Sequence, residues 1–481
     1  NTPVARLVSR HTRDLLRAYH RVGRLATPIA TRQVEDRFLR MSDDEAAVYS
    51  AVEDYIGTTY NNAAQDERSS VGFVMTIYRR RLASSFYALR RTLEDRLAAL
   101  RGDAGRLLAP ERLDEDVDAA DEEGETDPDD ALTMERRALD FEERGDIERL
   151  LTMVATLPTD SKARRLHETL TDLRDRGYGQ AIVFTQYTDT LDYLRDYLRE
   201  SGLRILCFSG RGGEFLQRDG NWRVISREET KRRFKAGDSD ILLCTDAAAE
   251  GLNFQFCGAL VNFDSPWNPM RIEQRIGRVD RLGQRFPEIA IVNLMYEDTV
   301  EADVYRALRQ RIGLFTAVVG KLQPILSSLP ARISAATLVP PAARADARAG
   351  LVPGLTQAIG AAEQEPFDLD EATRAALEDL LRAPAPYDLA DLWRLMGNPA
   401  LLPAGAAAKI VSLKEAFWDG PAADATVRVT TDPDYYEQHS DSVELWSPGS
   451  PAFGARVAES SQTGFENAAT LSELLDAYRT E

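Results

Sequence analysis

Cysteine is nearly absent from this chain, with three copies in 481 residues. Cys207, Cys244 and Cys257 lie in or beside apolar runs, and their number and spacing fit neither a disulfide framework nor a metal site. We therefore expect three buried thiols. Without disulfides, the fold depends on its hydrophobic core, and a chain of this length can bury a sizeable one.

Histidine is almost as scarce, which argues against a metal-dependent or nucleophilic enzyme. The four copies are His11, His20, His167 and His439. They lie far apart in the sequence, and no group has the spacing of zinc ligands. The sequence predicts no metal site.

Long apolar runs are also missing, since none approaches the ~18 residues of a membrane span. The chain begins NTPVARLVSR, without Met and without the apolar stretch of a signal peptide. It ends in LSELLDAYRTE, inside a helical pattern. We expect a cytoplasmic protein with no membrane partner, and a truncated chain whose first residue marks an internal cut or a processed start.

Basic residues are outnumbered, and the formal net charge is −19. The excess lies in two segments: residues 101–160 carry 7 basic and 20 acidic side chains, and residues 321–481 carry 12 and 23. Residues 1–100 carry 16 and 12, and residues 161–320 carry 24 and 23. Because local patches and not totals attract a polyanion, the last two segments are compatible with a nucleic-acid partner.

The first hundred residues are predicted to be mainly helical, with an extended piece near Gln33 to Met41. A helix starts at Ser42, where Glu45 completes a capping box. Residues 71–97 combine apolar residues at helical period with arginines, which predicts a basic amphipathic helix. Its arginine face is either solvated on a packing helix or turned toward DNA. These arginines are Arg79, Arg80, Arg81, Arg90 and Arg91.

Two segments contain no recognisable catalytic or binding motif. Residues 101–159 are predicted to be an acidic, partly disordered linker, because Asp114 to Asp130 contains 11 acidic residues in 17 and no basic one. Residues 321–481 are a C-terminal extension of unknown role, with a helical pattern near Ala372 to Arg382 and a strand-like one near Thr426 to Thr431.

Residues 160–320 alternate short apolar strands with helices, which predicts an α/β fold with a parallel sheet flanked by helices. The apolar runs are AIVF at Ala181, ILCF at Ile205, ILLC at Ile241, ALVNF at Ala259 and IAIVNLM at Ile289. Helices are predicted over Asp189 to Glu200 and Ser226 to Lys235. The Gly-rich stretch RGGEFLQRDGNW after Ser209 is predicted to be a long surface loop.

The run EQRIGRVDRLGQ, Glu273 to Gln284, is the strongest chemical signal. It places Arg278 and Arg281 three residues apart, which on one helix would present two guanidinium groups on the same face and suit a phosphate chain. Gln274 lies one turn earlier on that face, and Gly277 removes side-chain bulk beside Arg278. A salt-bridged arginine helix would have the same pattern.

A second run, TDAAAEGLNF from Thr245, follows the apolar strand ILLC. It puts a loop of small residues at the carboxyl end of a parallel strand, where ligands of such sheets bind. Gly251 permits a close backbone approach, Glu250 has an oxygen for a ribose hydroxyl, and Thr245 has a donor for a nucleic-acid phosphate. Each of these residues alone is more often part of a turn.

Together these runs resemble the second RecA-like lobe of superfamily-two helicases, and most closely the Swi/Snf-type ATPases. IVFTQYTDT at Ile182 is similar to motif IV of that family, TDAAAEGLN to motif V and QRIGRVDRLGQ to motif VI. Bacterial members such as the RNA-polymerase-recycling ATPase and the Swi/Snf-like subunit of the DISARM phage-defence system are the nearest in pattern. The resemblance covers about Ser161 to Leu308. Residues 1–100 resemble, more vaguely, the end of the first lobe and its helical protrusion.

The resemblance implies a function for each matching position. Arg278 and Arg281 would be arginine fingers that reach an ATP held by the first lobe, and Gln274 would assist them. Glu250 and Gly251 would lie near the ribose. Asn268 and Trp267, in DSPWNP, would lie near the interface between lobes and DNA, with the ring of Trp267 in the core. The residues that would contact backbone phosphates are Thr185, Gln186, Ser209, Gly210 and Thr245.

A complete motor also needs a Gly-rich phosphate loop ending in Lys-Ser or Lys-Thr and a strand ending in Asp-Glu for Mg²⁺. This sequence contains neither. Gly313 to Lys321 has the wrong spacing, and Asp44-Glu45 does not follow a buried strand. ATP with Mg²⁺ would be bound mainly by a first lobe supplied in cis or in trans.

Two hypotheses follow. The first is the C-terminal half of an ATP-dependent translocase on double-stranded DNA, inactive as an ATP hydrolase alone, with a defence-system or RNA polymerase partner. The second is a non-catalytic DNA-binding or scaffolding subunit that retains the lobe for docking. The paired Arg278 and Arg281 favour the first, because a scaffold has no chemical need for both.

Overall fold

Eight strands form one sheet in the computed structural model of this chain, and helices cover the sheet. The chain divides into two units, Asn1–Thr373 and Arg374–Glu481. The structure describes residues 13–21, 25–63, 65, 68–101, 142–217, 220–246, 252–312, 323–364, 389–399, 402, 407–419, 426–440 and 442–447.

The sheet belongs to the first unit, and its strand order is β1-β8-β7-β2-β6-β3-β4-β5. Six strands run parallel, and β4 and β5 add an antiparallel hairpin at one edge. The strands are β1 (Thr31–Leu39), β2 (Ala181–Thr185), β3 (Ile205–Ser209), β4 (Gly212–Leu216), β5 (Trp222–Ile225), β6 (Ile241–Thr245), β7 (Ala259–Asn262) and β8 (Glu288–Tyr296). The predicted parallel α/β sheet is therefore confirmed.

Helices of the first unit lie before, between and after these strands. They are α1 (Arg13–Arg21), α2 (Asp43–Asn62), α3 (Arg68–Ser84), α4 (Phe86–Leu100), α5 (Glu142–Ala155), α6 (Ser161–Asp175), α7 (Thr188–Arg199), α8 (Arg227–Ala236), α9 (Pro269–Val279), α10 (Val300–Ile312), α11 (Gln323–Ser327), α12 (Leu329–Thr337) and α13 (Arg344–Gln364). Buried apolar side chains form two large clusters, each of which includes residues of the sheet.

The boundaries predicted at residues 100 and 320 both fall inside the compact unit Asn1–Thr373. Strand β1, from the predicted N-terminal segment, pairs in parallel with β8 over nine residues, from Thr31↔Glu288 to Leu39↔Tyr296. Glu45 joins the helical segment to the sheet region, since its side chain accepts from the backbone N–H of Ser42 and of Ser161, each at 2.7 Å. The capping box at Ser42 is thereby confirmed.

The predicted basic helix over residues 71–97 is two helices, α3 and α4, separated at Ser85, whose hydroxyl accepts from the Ala88 N–H at 3.0 Å. A serine that caps the second helix explains the break. Most of the predicted acidic linker, residues 102–141, lies outside the described residues, and its last part forms α5.

Three arginines of α3 are buried, so neither a solvated nor a DNA-facing arginine surface describes them. Arg79 is 2% exposed, and its guanidinium donates to Glu53 at 2.6 Å and Glu301 at 3.2 Å. Arg81 is 1% exposed and donates to Asp189 at 2.8 Å. Their partners come from distant parts of the chain, which local charge patterning cannot reveal.

The third, Arg80, is also buried, and its guanidinium lies over the ring of Trp267 at 4.6 Å from the centroid. The prediction that Trp267 is a core residue is confirmed. On α4, Arg90 and Arg91 are more exposed and pair with Glu94 of the same helix. These two arginines fit the solvated-face alternative.

The predicted surface loop after Ser209 is instead a hairpin. Strand β4 pairs with β3 from Leu206↔Phe215 to Ser209↔Gly212, and β5 pairs with β4. A Cβ at Gly213 would lie 1.9 Å from the hydroxyl of Thr230, so glycine here permits close packing and does not signal an open loop. Cys207, Cys244 and Cys257 are free and buried as predicted, and burial raises the pKa of Cys257 to about 12.

The second unit contains a small sheet of order β12-β11-β10-β9. Its elements are α14 (Leu389–Met396), β9 (Ala407–Ile410), β10 (Ala416–Asp419), β11 (Val427–Thr430), α15 (Pro433–His439) and β12 (Glu444–Leu445). Trp418 and Trp446 meet edge to face in its core, with ring centroids 4.9 Å apart. Strand β11 confirms the strand-like pattern at Thr426 to Thr431, whereas Ala372 to Arg382 lies outside the described residues.

No helix of the described part of the chain is both long enough and apolar enough to cross a membrane.

Candidate functional site

Asp264, the first acidic residue after β7, connects the carboxyl ends of the central strands. Its side chain accepts from the hydroxyls of Thr185 and Ser84, each at 2.6 Å, and from the backbone N–H of Gln186 at 3.0 Å. The carboxylate is 1% exposed. A buried charge of this kind needs several donors, so Asp264 fixes the end of β2 and the end of α3 at one point.

Arg275 supplies the matching cation from the middle of α9. Its guanidinium, 1% exposed, forms a two-pronged pair with Asp246 at 2.5 and 2.7 Å and lies 3.4 Å from Asp264. It also donates to the side chain of Asn262 at 3.1 Å. Burial lowers the pKa of Arg275, but the two carboxylates raise it above its usual value overall.

The network of polar side chains extends across neighbouring strands of the sheet. Asn262 donates to Asn293 at 2.7 Å, and Asn293 donates to Asp36 at 2.8 Å. These three residues stand on the neighbouring strands β7, β8 and β1, in register. Asp36 in turn accepts from Arg309 of α10 at 3.0 Å. The edge strand β1 is thus coupled to the charged centre beneath α9.

Three of the predicted phosphate contacts are buried hydroxyls at strand ends. Thr185 is 1% exposed, Thr245 is 3% exposed and Ser209 is 4% exposed. The Thr185 hydroxyl donates to Asp264, and the Ser209 hydroxyl accepts from the backbone N–H of Arg211 at 3.3 Å. These three hydroxyls are buried at the strand ends, and their contact with nucleic-acid phosphates stays a prediction.

The other predicted contacts at this edge are more accessible. Gly210 is exposed, and Gln186 and Asn268 are half-buried. Asn268 begins α9, where its side chain accepts from the Met270 N–H at 3.0 Å. The edge therefore presents mainly backbone and amide groups outward, with the threonine and serine hydroxyls beneath them.

At the other end of α9, the two predicted finger arginines are not on one helix. The helix ends at Val279, and Asp280 leaves it with φ −93° and ψ 78°. Arg278 is in the last turn and half-buried, whereas Arg281 follows the helix and is exposed. The Arg281 side chain turns back to donate to the Gly277 carbonyl at 2.9 Å. The shared-face prediction is wrong because the helix is two residues too short.

The turn after the helix is held from two sides. The buried Gln284 side chain donates to the carbonyls of Val279 at 2.6 Å and Cys257 at 3.0 Å, which satisfies the helix C-terminus. Gly283 takes φ +84°, a conformation that other residues rarely adopt. The Phe254 N–H donates to the Arg278 carbonyl at 2.8 Å, so the segment before β7 adjoins the arginines.

Of the remaining predicted residues, two are on α9 and two lie outside the described residues. Gln274 is exposed on α9, one turn before Arg278. At Gly277, a Cβ would meet no described atom within 4 Å, so among the described residues nothing requires glycine there. Glu250 and Gly251 lie outside the described residues. Within the part of the chain that the structure describes, no three His, Cys, Asp or Glu side chains are grouped to hold a metal ion.

Predicted residues thus lie at both ends of α9. Asn268 begins the helix, at the carboxyl edge of the sheet where Asp264 also lies, and Arg278 and Arg281 lie at the other end. Eleven helical residues span about 16 Å, so the helix separates the carboxyl edge of the sheet from Arg278 and Arg281 by that distance. Arg275 lies in the middle of the helix.

Sequence reasoning missed the residues that build this site: Arg275, Asp264, Asp246 and Asp280. One signal was available for Arg275, which shares the helical face of the apolar Ile272, Ile276 and Val279. An arginine on a buried face requires carboxylate partners. Those partners are distant in the sequence and are brought to Arg275 by the fold, so no local pattern identifies them.

Comparison with known proteins agrees with the motifs. Residues 161–283 match the family model of the helicase conserved C-terminal domain. The chain is 36% identical over 180 residues to an uncharacterized ATP-dependent helicase, YqhH, of Bacillus subtilis, covering 37% of this chain and 29% of that protein. It is 33% identical over 152 residues to the RNA polymerase-associated protein RapA of Vibrio campbellii, covering 31% and 15%. The predicted resemblance to the C-terminal lobe of Swi/Snf-type helicases is confirmed.

The aligned region spans less than a third of the length of these relatives. Among solved structures, the C-terminal part of the Fun30 ATPase domain is 16% identical with a TM-score of 0.34, covering 63% of this chain and 97% of that one. The Sulfolobus solfataricus SWI2/SNF2 ATPase core in complex with dsDNA is 17% identical with a TM-score of 0.37, covering 64% and 47%.

Proposed function

We propose that this chain supplies the second lobe of an ATP-dependent motor that moves along double-stranded DNA. ATP and Mg²⁺ would be held mainly by a first lobe, in cis or in trans. The observation that carries the proposal is the end of α9, where Arg281 is exposed and Arg278 half-buried within the segment that matches the helicase C-terminal domain. Each relative named above is described as a helicase or as associated with RNA polymerase.

The two arginines at the C-terminal end of α9 have the chemistry that phosphoryl transfer needs. Guanidinium groups stay charged at any physiological pH and match the geometry of phosphate oxygens. An arginine supplied across an interface to the transferring phosphoryl group accelerates hydrolysis by roughly 10³ to 10⁵. Arg278 and Arg281 would do this together, Gln274 would orient groups at the phosphates, and Glu250 and Gly251 would lie near the ribose.

The opposite end of α9 would face the DNA. Gly210, Gln186 and Asn268 are accessible at the carboxyl edge and offer backbone and amide donors, which are common partners of DNA phosphates. Thr185, Ser209 and Thr245, at the strand ends beside these groups, would add further phosphate contacts. Binding through phosphates is independent of base sequence and weakens with salt. We expect movement along the duplex without strand separation.

A scaffolding subunit that docks through this lobe is the second candidate. The buried charge centre of Arg275, Asp246 and Asp264 serves either function, because it holds the lobe together. The presence of both Arg278 and Arg281 favours the motor, since a scaffold has no chemical need for the pair. RNA polymerase or a defence complex would be a partner of the whole protein and not a substrate of this lobe.

The test is ATP hydrolysis with double-stranded DNA by this chain alone, by a first-lobe polypeptide alone and by the two combined. We expect turnover only in the combination, or in a single polypeptide that contains both lobes. Arg278→Ala should abolish it, whereas Arg285→Ala, at an exposed arginine just after the run Glu273 to Gln284, should not. DNA-independent association without turnover in any combination would support the scaffold instead.

A further inference from the structure

We propose that Arg32, on the edge strand β1, is a positioning residue for Arg281, the arginine just beyond the end of α9. It would act by holding the carboxylates of Asp280 and Glu273, and the inference rests on the function proposed for Arg281. Arg32 precedes the helicase C-terminal segment by more than a hundred residues and belongs to none of the motifs.

The contacts of Arg32 reach both ends of the last two turns of α9. Its Nε donates to Oδ2 of Asp280 at 2.5 Å, and its Nη1 donates to the two carboxylate oxygens of Glu273 at 3.1 and 3.0 Å. The side chain of Arg32 is 13% exposed. Arg13 of α1 donates to Asp280 as well. One guanidinium therefore binds a residue of the helix and the residue that directly follows the helix, seven positions apart, to the sheet.

Asp280 is an unusual residue at this place. It is the first residue after α9, where the helix dipole presents its negative end, so a carboxylate there is unfavourable without a cation. Its side chain is nevertheless 2% exposed. Buried carboxylates persist in proteins when they are paired and hydrogen-bonded. The arginines of β1 and α1 provide that pairing, and Asp280 becomes an anchor.

The anchor lies between the two arginines that the motor requires. Arg278 is two residues before Asp280, and Arg281 directly follows it. With Asp280 held against β1, the chain must turn at this residue, and Arg281 is directed outward. The pair with Arg32 also neutralises the carboxylate that lies next to Arg281 in the sequence. Both effects leave the exposed Arg281 accessible to an external phosphate.

The support for Arg32 is itself rigid. Strand β1 is paired with β8 along nine residues, and Thr31 donates its N–H to the Pro287 carbonyl at 2.8 Å. Arg37 stands on the opposite face of the same strand, because side chains alternate along a strand. It pairs with Glu35 and Asp172 and donates to Thr169. Arg37 is therefore a matched control: the same strand and side chain, with no contact to α9 among the described residues.

The experiment uses the protein with both lobes present and measures steady-state ATP hydrolysis with saturating double-stranded DNA. We expect Arg32→Ala to lower kcat by up to about 100-fold, the cost of misplacing a group by an ångström, with the KM for ATP and the affinity for DNA unchanged. Asp280→Asn, which keeps the shape and removes the charge, should give the same kcat defect. Arg32→Lys should restore part of the rate, and Arg37→Ala should match wild type.

The double variant separates positioning from folding. Adding Arg32→Ala to Arg281→Ala should lower kcat no further if Arg32 acts only through the finger. A wild-type rate for Arg32→Ala and Asp280→Asn, or a kcat loss that the double variant shows to be independent of Arg281, would overturn the inference. If wild type has no DNA-stimulated activity, or Arg281→Ala remains fully active, the proposed function fails first, and the inference fails with it.

Discussion

The carboxylate of Asp264 and the guanidinium of Arg275 lie 3.4 Å apart at the carboxyl edge of the sheet, and each side chain is 1% exposed. Asp264 also accepts from Thr185, Ser84 and the Gln186 N–H, and Arg275 also pairs with Asp246. This pair therefore joins β2, α3, β6 and α9, all of which border the proposed site.

We predict that Asp264→Ala destabilises the first unit by about 3 kcal/mol, because it leaves buried donors and part of a buried cation without their acceptor. Urea unfolding followed by circular dichroism measures the change. Glu229→Ala is the control, since Glu229 pairs with Arg232 and Arg233 on an accessible helix face and its removal should change little. Equal unfolding midpoints for Asp264→Ala and wild type would contradict this account of the centre.

We predict that Arg81→Met lowers stability but not the DNA affinity of the folded protein. Arg81 is buried, pairs with Asp189 and lies over the ring of Tyr187, so its removal leaves Asp189 as a buried charge and costs about 3 kcal/mol. Thermal unfolding and duplex binding at several salt concentrations check both parts. A smaller salt dependence of binding in Arg81→Met would mean that this arginine contacts phosphates after all.

The second unit should lose stability in acid through Glu415. The hydrogen bonds from Arg428 at 2.5 Å and Tyr435 at 2.7 Å hold the pKa of Glu415 below its usual range. A carboxyl group whose pKa is lowered by folding stabilises the fold above its unfolded pKa of about 4.3, and this contribution is lost as the pH falls through the folded pKa.

Urea unfolding between pH 3 and pH 7, followed by the fluorescence of the buried Trp418 and Trp446, measures the effect. Glu415→Gln should be less stable than wild type at pH 7, and the difference should shrink toward pH 3. A difference that stays constant across this range would show that the ion pair is not its source.

The sequence was sufficient to predict five of the parallel strands and the order of the motifs, because each depends on a local pattern. The runs at Ala181, Ile205, Ile241, Ala259 and Ile289 are buried strands of a parallel sheet. Apolar runs of this length need burial on both faces, and alternation with helices provides it. The family resemblance rested on the same local runs.

The predictions that failed concern charges whose partners are distant in sequence. The local sequence predicts that Arg79 and Arg81 lie on a surface. In the structure both are buried, and they pair with Glu53, Glu301 and Asp189. The motif predicts Arg281 on the helix of Arg278, but this helix ends at Val279. It ends there because the paired Asp280 and Gly283, with its positive φ, form a turn. The glycines of the β4 and β5 hairpin predict a loop in the sequence, but Gly213 permits close packing of the strand against Thr230.

Single-turnover hydrolysis with both lobes, saturating ATP and double-stranded DNA shows whether Arg281 acts on the phosphate chain of ATP. We expect Arg281→Ala to slow the chemical step by roughly 10³-fold while ATP and DNA still bind, and Arg285→Ala to leave the rate unchanged. An unchanged rate in Arg281→Ala, or an equal loss in Arg285→Ala, would contradict this role for Arg281.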